Sequence, residues 1–344
     1  MIVRKHLTIS CSFWRPSVTS QFCVCPIPFH FDTYRGCSYG CLFCFARDFI
    51  EFSRRNQDED KRTQSYLEGN DPKGLQKWID KVLSTDNYDY TKAEEVAFKE
   101  RLPVKIGATA DPFPIIELKE RITYDCLKVF AKYDYPVQIS TKNPEIFLSY
   151  ADDFISANIA LNVSCSFVDD DIARQIECGA ISPTRRFAAI KKLSEMGFKI
   201  TVRMQPFILP YSEQVAERFV KTLADCGVWA FQTEGLKLRV CMSDKEKAVY
   251  SRIGKVLGFD ILSNFKHNGM IEFGDYVYSI EDKRRVLKLY TDLALKYGIK
   301  FFNADNFIDD GKYGCGCECC GTEFLRNHKI WGGCNRAQFY DSKT

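Results

Sequence analysis

Between residues 104 and 233 the chain repeats one pattern: a short β-branched run, then an amphipathic stretch, with Gly or Pro at the joins. The runs predict strands over 104–108, 137–141, 159–166, 198–203 and 229–233. The stretches between predict helices over 116–133, 144–151, 183–196 and 212–226. Alternation of this kind gives an α/β fold with a parallel sheet and helices on its outer face. Right-handed crossovers curl such a sheet into a full or partial barrel, and chemistry then gathers at the C-terminal ends of the strands. A further strand over 29–34 precedes the series.

That first strand runs into Cys37-Ser-Tyr-Gly-Cys41-Leu-Phe-Cys44, three cysteines spaced CxxxCxxC. Three thiolates on one loop can hold three corners of a four-iron, four-sulfur cube. Clusters that only carry electrons take a full set of thiolates, so the fourth iron here would be open to a small molecule. Gly36 and Gly40 let the backbone turn tightly. The alternatives are a zinc loop or three unrelated core cysteines. Zinc sites use four ligands, commonly from CxxC pairs, and this loop holds no fourth Cys or His.

The 344 residues suffice for one large core, with 45% hydrophobic and 27% charged residues as in ordinary globular proteins. A net charge of +3 gives no support for a heavily basic nucleic-acid surface. The 27 Phe and 17 Tyr read as packing. Sixteen cysteines raise a disulfide scaffold, but the N-terminus lacks a signal-peptide pattern and no apolar segment reaches the ~20 residues of a membrane span. A reducing cytoplasmic location is expected. Cys126, Cys165, Cys178, Cys226 and Cys241 read as buried apolar residues.

Residues 1–28 are expected to form an irregular lead-in, and 29–240 the core barrel. A charged, mostly helical insertion covers 48–102, where Asp71-Pro72 marks a helix start and Leu75, Trp78, Ile79 and Val82 recur at helical spacing. Residues 241–310 form an extension with helices over 244–257 and 281–297 and a strand over 299–303. A Cys-rich tail, 311–344, follows.

The stretch from Tyr34 to Arg47, with Phe43 before the last cysteine, resembles the radical S-adenosylmethionine (radical SAM) superfamily, in particular its spore photoproduct lyase-like branch. Asp111-Pro-Phe-Pro-Ile-Ile-Glu117 and the segment 177–210, with Ser182-Pro-Thr-Arg-Arg186 and Val202-Arg-Met-Gln-Pro206, carry the same resemblance. It implies a partial (β/α)6 TIM-like barrel in which Cys37, Cys41 and Cys44 bind a [4Fe-4S] cluster and S-adenosylmethionine chelates the open iron. One electron then cleaves the cofactor to a 5′-deoxyadenosyl radical that abstracts hydrogen from a substrate. An electron donor such as flavodoxin or ferredoxin is implied, and a nucleic acid or nucleotide as substrate.

By the same resemblance, Gly107, Thr109 and Asp111 meet the methionine amino group and Lys142 its carboxylate. Ser164 and Ser166 meet the ribose, and Arg203 a carboxylate or phosphate. Each residue also has a local reading, as turn, loop or backbone-satisfying group. Arg174, Arg185 and Arg186 read as a solvated helix surface. Spore photoproduct lyases carry a hydrogen-returning cysteine in the second-strand segment. Here Ala108-Thr-Ala110 has no thiol, which weighs against thymine-dimer repair by that route.

In the tail, Cys315, Cys317, Cys319, Cys320 and Cys334 are too dense in a glycine-flanked stretch to all face a core. They predict a second metal site, an auxiliary iron–sulfur cluster or a zinc, with Cys23, Cys25 and His328 as spare ligands. Two other functions stay open: a radical enzyme on a peptide or small metabolite using that auxiliary cluster, and a non-catalytic metal-containing nucleic-acid-binding or redox-sensing protein.

Overall fold

The computed structural model describes residues 9–19, 27–53, 55–56, 65–86, 89–304 and 321–329. Its centre is an eight-stranded sheet whose spatial order follows the sequence: β1 (Ser17–Val18), β2 (Phe29–His30), β3 (Val104–Ile106), β4 (Val137–Thr141), β5 (Ile159–Ser164), β6 (Ile200–Phe207), β7 (Ala230–Gly235) and β8 (Lys300–Asn303). Only the edge pair β1–β2 is antiparallel; every other neighbour is parallel. Helical crossovers link successive strands, giving an α/β fold of partial TIM-like barrel type.

The strands are two-sided. Val104, Val137, Leu161, Val163, Ile200, Val202, Phe231 and Phe301 belong to the main hydrophobic core beneath the helices. Period-two alternation turns the residues between them to the concave side, where Ala230 and Phe302 join Ile27 in a separate small cluster. Register puts Gln138, Asn162, Ser164, Thr201, Arg203 and Gln232 on this concave side too. Apolar residues thus face the helices and polar ones face the barrel lumen.

The sequence pattern placed the strands well but not their partners. The 299–303 strand, read as part of an extension, is β8 and pairs in parallel with β7. The expected 29–34 strand breaks after His30. Tyr34–Arg35 pairs instead with Glu68–Asn70, in a small sheet that also takes Cys11–Ser12. The lead-in is therefore not irregular throughout, and the 48–102 insertion contains a strand between its helices. Of the cysteines read as buried, Cys126, Cys165 and Cys226 are so, but Cys178 and Cys241 are exposed.

The helix Pro72–Ser84 forms as its sequence dictates. The Asp71 side chain accepts from Lys73 N, Pro72 opens the first turn, and Leu75, Trp78, Ile79 and Val82 are buried. The predicted 116–133 helix divides at Arg121, whose φ of 53° separates Glu117–Glu120 from Ile122–Lys132.

Residues 321–329 lie across the N-terminal mouth of the barrel. Asn158, just before β5, donates to Arg326 O at 2.9 Å and accepts from Arg326 N at 2.7 Å. Phe324 meets Trp229 edge-on at 4.5 Å, and Arg101 Nε donates to Asn327 O at 2.6 Å.

Candidate functional site

The cysteine loop starts just past Tyr34–Arg35 and is tied down from two sides. Tyr34 donates its hydroxyl to Glu117 at 2.5 Å. The same carboxylate accepts from Thr123 N at 3.0 Å and Tyr124 N at 2.9 Å, so it also caps the helix Ile122–Lys132. Tyr39 donates to Phe113 O at 2.6 Å. From the other side, Leu42 N donates to Ile176 O at 2.9 Å and Gly179 N to Tyr39 O at 2.7 Å. Gly36 and Gly40 adopt φ of 90° and 59°, the left-handed region expected of the tight turns.

None of Cys37, Cys41 and Cys44 is in a disulfide. Burial, reinforced by the Asp111 carboxylate, pushes the Cys37 thiol up to about 12. Burial also raises Cys41, against the pull of Lys142. Among the described residues no three Cys, His, Asp or Glu side chains converge as they would around one metal ion. A cuboidal cluster asks for something different, with each thiolate on a separate iron. Three reduced cysteines on one glycine-turned loop match that donor set.

The ends of β2, β3 and β4 interlock beside the loop. Asp32 accepts from Ala108 N at 2.8 Å and Thr109 N at 3.1 Å, and the Thr109 hydroxyl donates to it as well. Asp111 accepts from Thr141 Oγ1 at 2.8 Å, Lys142 N at 2.6 Å and Phe113 N at 3.0 Å. Burial outweighs these bonds and raises both carboxyls. Thr109 and Asp111, expected to meet a cofactor, thus already serve as latches within the chain. Asp32 was missed by sequence reasoning because the 29–34 run reads as plain strand. Gly107 has φ of 87°, and a Cβ there would stand 2.1 Å from Ser140 O, so this strand end packs against the Ser140 carbonyl with no room for a side chain.

Lys142, Glu177 and Arg186 form a row in which Glu177 and Arg186 are buried and Lys142 is partly buried. Lys142 Nζ lies 3.2 Å from Glu177 Oε1, and Arg186 Nη2 lies 2.6 Å from Glu177 Oε2. Arg186 Nε donates to Ile181 O and Nη1 to Ser164 O, at 2.9 and 3.0 Å. Burial alone would raise Glu177, but Arg186 and then Lys142 outweigh it and hold the carboxyl below its usual range. The solvated-surface reading of Arg186 is therefore wrong, for the residue is 1% exposed. Arg174 and Arg185 do lie at the surface, paired with Asp171 and Glu145. The missed signal was periodic: Arg186 falls on the buried stripe with Pro183, Phe187, Ile190 and Leu193.

Ser164 and Arg203 are register partners on the lumen side, with Arg203 Nε donating to Gln205 Oε1 at 3.0 Å. Ser166 is 3% exposed and its hydroxyl has no hydrogen-bond partner. Asn162, fully buried and one step deeper, leaves both amide atoms unpartnered. Buried polar atoms without partners are uncommon. They fit a polar cofactor entering the lumen from above. Cys315, Cys317, Cys319, Cys320, Cys334, Cys23 and Cys25 lie outside the described residues. His328 Nδ1 is 2.8 Å from Leu325 O.

Among solved structures, the fold is similar to spore photoproduct lyase. A double mutant with bound AdoMet and dinucleoside spore photoproduct aligns at a TM-score of 0.53 and 15% identity, over 88% of this chain and 80% of that one. The lyase complexed with dinucleoside spore photoproduct aligns at 0.52 and 15%, over the same shares of the two chains. Uncharacterized proteins of Mycobacterium tuberculosis and Mycobacterium bovis are 24% identical over 222 residues, 62% of this chain. The chain spans 60% of the length of those relatives. The sequence model of the radical SAM superfamily matches residues 32–223, from the end of the first strand through the cysteine loop and past β6, more than half of the 344 residues. By that match the chain belongs to the radical SAM superfamily.

Proposed function

We propose that the protein is a radical SAM enzyme that abstracts hydrogen from a nucleic acid or nucleotide substrate. The observation that carries the reading is the fastening of the three-thiol loop to strand ends beside buried, unpartnered polar groups at Ser166 and Asn162. In this reading Cys37, Cys41 and Cys44 hold a [4Fe-4S] cluster. When bound, the cluster and S-adenosylmethionine together supply the electron and the 5′-deoxyadenosyl group for hydrogen abstraction. The chain's own residues bind and orient. Lys142 offers a positive charge to the cofactor carboxylate, Gly107 admits the amino group, and Ser166 and Ser164 offer hydroxyls to the ribose.

The nucleotide part of the reading is supported by a cleft beside the loop, lined by Phe13, Trp14, Arg35, Gly36, Ala108 and Thr109. There the Arg35 guanidinium lies 4.2 Å above the Trp14 ring, a surface suited to bases and phosphates. The spore photoproduct lyase complexes hold a dinucleoside. The absence of a thiol at 108–110 favours an outcome other than dimer repair. On their density in sequence, the tail cysteines Cys315, Cys317, Cys319, Cys320 and Cys334 form a second metal site. A flavodoxin- or ferredoxin-type donor in the cytoplasm completes the reading. No helix among the described residues is long and apolar enough to cross a membrane.

The test is anaerobic reconstitution followed by incubation with S-adenosylmethionine, dithionite and oligonucleotides. About four irons are expected from the loop alone, and more if the tail also binds a cluster. Cys41→Ala should abolish 5′-deoxyadenosine, read by mass spectrometry, and its survival would sink the reading. A Cys315→Ala/Cys317→Ala variant with undiminished iron would remove the tail from it.

A further inference from the structure

The turn after the helix Asp170–Ile176 lies directly on the cysteine loop. Besides the two backbone hydrogen bonds already described, Gly179 leaves no room for a side chain. A Cβ there would stand 2.8 Å from Ser38 O and 3.0 Å from Tyr39 Cα. Glu177 is thus held against the loop backbone to backbone. Arg186 secures it from the helix Pro183–Glu195, and Lys142 approaches from the end of β4. Lys142 Nζ also lies 5.6 Å above the ring of Phe43, the residue before Cys44. Two cations and one carboxylate leave the row with one net positive charge.

Packing does not account for this row. Buried ionic networks are often replaceable by apolar side chains without loss of stability, and the helix carrying Arg186 is otherwise apolar on its buried face. What is particular is the position. The row meets the loop at Tyr39, through Gly179, and at Phe43, beneath Lys142, two residues to either side of Cys41, which feels the charges of both Lys142 and Glu177. The side chains at the loop would ligate metal as anionic thiolates, and the Asp111 carboxylate adds negative charge at Cys37.

We infer that the Arg186–Glu177–Lys142 row sets the reduction potential of the metal group held by the cysteine loop, its net positive charge favouring the reduced form. This rests on the iron–sulfur reading above. Reduction takes one electron from a low-potential donor and adds one unit of negative charge, with no bond formed or broken at the loop. A unit charge roughly 10 Å away, in an effective dielectric of ~20, changes that one-electron equilibrium on the order of tenfold, or about 59 mV. Arg186 and Glu177 act through the field and through Lys142, and are positioning residues.

The experiment is a dithionite titration of the reconstituted full chain without S-adenosylmethionine, followed by electron paramagnetic resonance, with iron content measured for each variant. Glu177→Gln, which leaves the row at +2, should raise the potential by about tenfold in the equilibrium. Lys142→Met and Arg186→Met, which leave it neutral, should each lower it by a similar factor. The double variant Glu177→Gln/Arg186→Met restores +1 and should return close to the unaltered chain. Damage to packing would not reverse sign with the charge removed. Should Arg186→Met fail to fold, Glu177→Gln against Lys142→Met still reads the sign. Shifts in one direction only, or none, at full iron content overturn the inference and leave the cluster reading standing. No iron in the unaltered chain overturns both.

Discussion

The two mouths of the barrel are built on opposite plans. At the N-terminal mouth, residues 321–329 meet the strand starts with complementary groups. Asn158 is bonded through both its amide oxygen and nitrogen to Arg326 backbone, and the Arg326 side chain pairs with Asp134 at the surface, 2.6 Å away. At the C-terminal mouth, the Arg186–Glu177 pair is buried, the Ser166 hydroxyl lacks a partner, and Gly107 packs against the Ser140 carbonyl. Within the plug the buried Thr322 hydroxyl also lacks a partner, so the two mouths differ in buried charge and not in unpartnered hydroxyls. The ion pairs made by residues 321–329 lie at the surface, whereas the Arg186–Glu177 pair of the C-terminal mouth is buried.

The sharpest way to break this contrast is a pair of glycine substitutions. Gly107→Ala drives a Cβ to within 2.1 Å of the Ser140 carbonyl, whereas at Gly321 the nearest atom is the movable Thr201 hydroxyl at 2.8 Å. Thermal unfolding should show a loss above about 3 kcal/mol for Gly107→Ala and about 1 kcal/mol for Gly321→Ala. Equal losses would mean the upper strand end is no more tightly constrained than the plug.

Next in size is the pair of arginines. Arg186→Met strands a buried carboxylate and should cost about 3–5 kcal/mol in denaturant unfolding. Arg326→Met removes a half-exposed pair with Asp134 and should cost less than about 1 kcal/mol.

Smaller effects sharpen the functional half of the contrast. Ser166→Ala removes a hydroxyl with no partner and should leave stability unchanged or slightly raised, while weakening S-adenosylmethionine binding about five- to tenfold by calorimetry. Asn158→Ala should do the reverse, losing about 1–3 kcal/mol of stability with binding intact. The smallest effect is one of pH. Because Glu177 is held below its ordinary value of 4.5, its stabilising contribution is fully present above that value. It is lost as pH falls through the folded value. The stability gap between the unaltered chain and Glu177→Gln should be constant near neutrality and narrow below about pH 4.5. A gap that widened in acid would reverse the assigned sign.

Much of this was legible in the residues alone. The Pro72–Ser84 helix, its Asp71 cap and its four buried residues follow from local spacing. So do the strands from β3 to β7, because period-two and period-3.6 burial are properties of a short window. The cysteine loop was equally legible, since its ligand spacing is contiguous in the chain. What failed was whatever depended on a distant partner. Tyr34–Arg35 left the expected strand for Glu68–Asn70, and 300–303 became the edge of the main sheet because β7 offered an open parallel neighbour.

The site divides along the same line. Sequence determined that three thiols and two glycine turns would share one loop, and that a succession of strands would alternate with helices, since each is a short-range property. Tertiary structure decided which polar groups were already engaged there. Asp32 and Asp111 are bound by neighbouring strand ends, and Glu177 is held by a lysine from one strand end and an arginine from a helix. Ser166 is left without a partner. Local pattern says which residue types are present, but engagement depends on burial and on partners far along the chain. Those are fixed only when the sheet curls and brings its strand ends to one rim.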